Sequence, residues 1–89
     1  MITLHDYVWF GHIIKGHPEL ASHRHEVEQA VVLPEQIRIS TSDADCRIYY
    51  GQASARGRRV ALVADIVAGV VKTAYFARRI KAGVVEWSR

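Results

Sequence analysis

The sequence predicts an α+β fold, with two N-terminal helices packed on one face of a four- to five-stranded, mostly antiparallel sheet. Two observations carry that expectation. Up to Pro34, apolar residues recur at helical spacing between capping residues and breakers; beyond it they alternate or run together in short extended segments. Helices gathered before the strands, not interleaved with them, indicate α+β architecture and not a parallel α/β sheet. Eighty-nine residues make a single domain spanning 1–89, and 49% hydrophobic content argues against general disorder.

Asp6 is placed to cap a first helix from about Tyr7 to Lys15, closed by Gly16 and blocked by Pro18. At helical spacing Tyr7, Phe10, Ile13 and Ile14 form its expected apolar stripe, with His12 on the other side. Ser22 is placed to cap a second helix, from about His23 to Val32, whose Val27, Ala30 and Val31 face inward; Pro34 ends it. Ile37 and Ile39 alternate with polar neighbours in a short strand, and Arg47 to Tyr50 make the next. Val60 to Val67 is apolar on both faces, as an interior strand is. Ala68-Gly69 turns it into Val70 to Ala77, predicting a hairpin, and Val84 to Trp87 forms a terminal strand.

Twelve Lys and Arg against nine Asp and Glu give a net charge of +3. The excess is concentrated late, at Arg56, Arg58, Arg59, Lys72, Arg78, Arg79, Lys81 and Arg89, which points to a polyanionic partner, RNA above all. The single cysteine, Cys46, has no internal disulfide partner and is expected to pack as a small hydrophobe in a reducing compartment. No signal peptide and no apolar run long enough for a membrane span is visible, so a soluble, cytoplasmic protein without a membrane partner is expected. The initial Met1 is what a complete small protein would show. A homodimer would bury more surface than so short a chain buries alone.

All five histidines fall within the first 25 residues. Neutral imidazole is the side chain best suited to moving protons near pH 7. A metal site is the other reading of such a cluster, but no Cys-x-x-Cys or His-Glu-x-x-His spacing occurs, and no cofactor or metal is expected. Neither a Gly-x-Ser-x-Gly elbow nor a phosphate-binding glycine loop is present.

The run His12-Ile-Ile-Lys-Gly-His17-Pro18-Glu19-Leu20 is followed by Val27-Glu28, Leu33-Pro34, Arg47-Ile48-Tyr49-Tyr50 and Lys72-Thr73-Ala74-Tyr75. In this order the motifs resemble the phage-type members of the barnase–EndoU–colicin–RelE superfamily of small metal-independent nucleases. The resemblance runs from about Trp9 to Trp87. It implies an RNA-cleaving domain, often a toxin or effector, with an inhibitory antitoxin protein as a further partner.

Metal-free RNA cleavage needs a base for the 2′-hydroxyl, an acid for the leaving 5′-oxygen, and cations or donors for the charge that builds at phosphorus. His12 and His17 are the candidates for base and acid, in either order. Thr73 and Tyr75 alternate onto one strand face, where their hydroxyls would meet the phosphate or base. Arg47, Arg78 and Arg79 are candidate phosphate-binding residues, and Tyr49 or Tyr50 would stack on a base. Each has a structural alternative. His12 would serve as a solvated surface residue, His17 as a helix-end cap, Thr73 and Tyr75 as good strand formers, and Arg78 and Arg79 as edge-strand guards. Tyr49 and Tyr50 point to opposite faces, which sends one of them towards the core. The alternative to an enzyme is a binding module of the same fold that holds RNA or a protein without cleaving it.

Overall fold

The computed structural model describes residues 2–81 and 83–89; Met1, and with it the start of the chain, lies outside them. Five strands, β1 (Gln36–Ile39), β2 (Cys46–Tyr50), β3 (Arg59–Asp65), β4 (Val70–Ala77) and β5 (Val85–Ser88), form one antiparallel sheet in the order β4-β3-β2-β1-β5. Two helices precede it, as the α+β pattern requires.

Register assigns the faces. Val60, Leu62 and Ala64 of β3 pair with Phe76, Ala74 and Val71 of β4, and Leu62 also pairs with Tyr49 of β2. This face meets the helices, whose Trp9, Ile13, Leu20, Val27 and Ala30 complete the core. Ala61 and Val63, with their β4 partners Tyr75 and Thr73 and their β2 partners Tyr50 and Ile48, point the other way.

The second helix, Arg24–Val32, buries Val27 and Ala30 as expected, but its N-cap is His23 and not Ser22. No side-chain hydrogen bond caps it; the His23 ring instead lies 2.8 Å from Glu26 Oε1.

The first helix spans residues 6–16 and departs from the expected stripe. It is α-helical over Asp6–Val8, opens into a π-helical turn over Trp9–Ile13 and closes as α-helix over Ile14–Gly16. Trp9 and Ile13, four residues apart, take the core positions, while Tyr7 and Phe10 are 73% and 58% exposed. A wider π turn breaks the 3.6-residue period on which the predicted stripe rested. Asp6 is not the cap either. That position falls to His5, and the Asp6 carboxylate accepts a 2.9 Å hydrogen bond from Arg24.

Thr3 forms a parallel bridge to Val70, adding one residue of chain outside the β4 edge. This fixes where the first helix starts, and the helix then runs beside β4. β4 and β5 occupy opposite edges, so the connection from 78 to 84 must cross the sheet. It crosses the face away from the helices, where the Lys81 amide donates to the Tyr50 hydroxyl at 3.0 Å and Arg38 donates to the carbonyls of Lys81 and Gly83. Tyr50 is thereby fully buried on a face that carries no helix.

Candidate active site along the β4 edge

Because the first helix flanks β4, its outer side and the helix-free face of the sheet border one open groove. Tyr7, Val8, Gly11 and His12 line it from the helix, and Val63, Lys72 and Thr73 from the sheet. A β-bulge builds the strand side: Val63 pairs with Thr73 but Ala64 pairs with Val71, leaving Lys72 as the extra residue. Strict alternation would send Lys72 and Thr73 to opposite faces; the bulge lets both line the groove. His12 is exposed there, while Trp9 and Ile13 of the same helix are buried in the core.

Immediately after the helix, at its C-cap, His17 turns its ring towards Tyr75, with centroids 6.1 Å apart and planes tilted by 36°. Its Nδ1 lies 3.5 Å from a carboxylate oxygen of Glu19. Tyr75 receives the Lys81 ammonium 5.4 Å from its ring centroid. Burial pushes the Tyr75 phenol above its ordinary range, and the Tyr50 hydroxyl pulls more weakly the other way. Its hydroxyl therefore stays protonated at neutral pH and serves as a hydrogen-bond donor, not as a base.

The four residues expected to do chemistry fall in two pairs along β4: His12 and Thr73 line the groove, whereas His17 and Tyr75 meet each other and are not part of its lining. The expected binding residues divide. Arg78 and Arg79 are exposed just past the end of β4, and Arg78 Nη1 lies 3.4 Å from the Arg56 carbonyl. With Arg59 near Ala77 across the hairpin and Lys81 on Tyr75, the late basic residues gather at the Tyr75 end of the strand.

Arg47 and Tyr49 lie elsewhere. Arg47 pairs with Ala64 and Ile39 on the helix-side face, donates to Glu86 at 2.9 Å and reaches the carbonyls of Ala44 and Cys46. Its side chain is only 13% exposed, so these bonds hold the β2–β5 side of the sheet together and leave no guanidinium face towards the groove. Tyr49 is half-buried against the core on that same face, where burial and the Glu86 carboxylate raise its pKa. Both belong to the sheet's framework because register points them away from Thr73 and Tyr75.

Lys72 and Lys81 were legible in the sequence only as part of the basic excess that points to RNA, and Glu19 and Tyr7 were not singled out as site residues. Lys72 and Glu19 each sat within a quoted motif, but nothing in a linear pattern signals a bulge or a chain crossing a sheet. A separate cavity of about 250 Å³ opens between the second helix and the 51–58 loop, with Arg58 stacked 3.9 Å over Phe76. It contains none of the expected site residues. Among the described residues, no three His, Cys, Asp or Glu side chains gather as a metal site requires. Comparison of the chain with protein-family models, curated proteins and solved structures finds no match.

Proposed function

We propose that this protein is a small metal-independent endoribonuclease that cleaves RNA by transesterification through its 2′-hydroxyl. The observation that carries the reading is the pairing of two imidazoles with two strand hydroxyls along one edge, His12 with Thr73 and His17 with Tyr75, beside Lys72 and Lys81. In the reaction one imidazole takes the 2′-hydroxyl proton as the O2′–P bond forms. The other gives its proton to the 5′-oxygen as the P–O5′ bond breaks, leaving a 2′,3′-cyclic phosphate and a 5′-hydroxyl. Lysine ammoniums and the Thr73 and Tyr75 hydroxyls meet the charge that develops on the phosphate oxygens. The Glu19 carboxylate, 3.5 Å from His17 Nδ1, would favour the protonated imidazole that acts as the acid.

The arginines past β4 would extend the electrostatic track for the polyanion. A toxin or effector kept in check by an inhibitory protein is the biological setting this activity fits. The test is purified protein in EDTA, incubated with total RNA, transfer RNA and ribosomes beside His12→Ala and His17→Ala. Cleavage by wild type with loss of about a hundredfold or more in each variant is expected. Intact RNA with all three proteins, together with salt-sensitive RNA binding, would instead identify a non-catalytic RNA-binding module.

A further inference from the structure

Tyr7 and Phe10 are aromatic residues that the core has not taken. They lie on the first helix and are 73% and 58% exposed. The Tyr7 ring stacks on His5 with centroids 5.3 Å apart and planes within 21°. It also lines the same groove as His12, Lys72 and Thr73. The only charged side chain among those lining the groove is Lys72, and no carboxylate is among them. The neighbouring Asp6 carboxylate is paired with Arg24.

A braced, exposed ring beside a cationic cleft is what an unpaired nucleobase requires: a π-face to stack on and a cation for the adjoining phosphate. We infer that Tyr7 is a stacking platform for bases flanking the reacting phosphate, so that the substrate is single-stranded RNA and not duplex. This deepens the ribonuclease reading and rests on the groove being its RNA site. A duplex hides its base faces within the stack and offers Tyr7 nothing to bind.

The experiment measures fluorescence anisotropy of a labelled, mixed-sequence 2′-O-methyl RNA 12-mer, which cannot be cleaved, with an unlabelled duplex of the same sequence as competitor. Tyr7→Ala is expected to weaken binding about tenfold and Tyr7→Phe to leave it within about twofold, because stacking needs the ring and not the hydroxyl. Phe10→Ala, at an exposed aromatic that does not line the groove, leaves it within about twofold, and the duplex competes poorly. Circular dichroism melts establish that these surface variants fold.

Wild-type affinity in Tyr7→Ala, or a duplex that competes as well as the single strand, overturns the inference. So does gel filtration in which wild type is a dimer and Tyr7→Ala a monomer with unchanged RNA affinity, because the aromatics are then a self-association surface. The two readings fail separately. Cleavage that needs His12 but ignores Tyr7 sinks the platform alone; Tyr7-dependent binding without cleavage sinks the catalytic reading alone.

Discussion

Arg47 and His17 show how far a residue's type leaves its role open. Both were expected near phosphate. His17 lies against Tyr75 with Glu19 behind it, whereas Arg47 spends its donors on Glu86 and on the carbonyls of Ala44 and Cys46. A guanidinium this enclosed is costly to remove, because its acceptors lose their partners within the fold. Arg47→Ala should therefore destabilise the protein by about 1–3 kcal/mol in urea unfolding while leaving RNA cleavage at the wild-type rate below the unfolding transition. Unchanged stability with lost cleavage would return Arg47 to the site. The sequence named the residue types suited to phosphate chemistry; it did not contain the register that points Arg47 to one face of the sheet and Thr73 and Tyr75 to the other.

At the level of elements, legibility followed how local the determining interaction is. β4 was expected from Val70 to Ala77 and spans those residues, because a Gly69 turn and the Arg78-Arg79 pair bound a run rich in β-branched and aromatic strand formers. The hairpin with β3 was legible for the same reason. The first helix was expected at nearly its true length, but its π turn exchanged Trp9 for Tyr7 and Phe10 in the core. The pairing of β5 with β1 depends on the 78–84 connection crossing the sheet, a tertiary event with no local pattern. Gly83 is the tight point of that crossing: its φ is +151°, and a Cβ there would stand 2.8 Å from the Ile39 carbonyl oxygen. Gly83→Ala should cost about 1–3 kcal/mol and loosen β5, read as faster amide exchange at Trp87 and Val85. Unaltered stability and exchange would mean that the crossing tolerates a side chain and does not hold β5 in place.

For the molecule as a whole, the helix-free face of the sheet is closed by a chain segment and by phenols, not by a helical layer. Burial raises the pKa of Tyr50, Tyr75 and Tyr49, and that of the buried Cys46 thiol. For each of these acids the folded state holds its proton to higher pH than the unfolded chain does. The stabilisation is complete below the unfolded values, near pH 8.5 for thiol and about 10 for phenol, and is lost as pH rises through the folded ones. Urea midpoints should be flat from pH 7 to about 8.5 and fall progressively towards pH 11. Midpoints that hold steady to pH 11 would show that these groups ionise as freely folded as unfolded. No helix among the described residues is long and apolar enough to cross a membrane, and the first helix runs along the β4 edge of this phenol-closed sheet.

The central claim, that His12 and His17 cleave RNA from that edge, meets its most direct test in a matched pair of substrates. One is a single-stranded RNA that the protein binds; the other carries 2′-O-methyl groups at every position. In EDTA, wild type should convert only the first, leaving 2′,3′-cyclic phosphate ends, and His12→Ala should slow that reaction by about a hundredfold or more without loss of binding. Equal cleavage of both substrates, or a His12→Ala rate equal to wild type, would contradict the account.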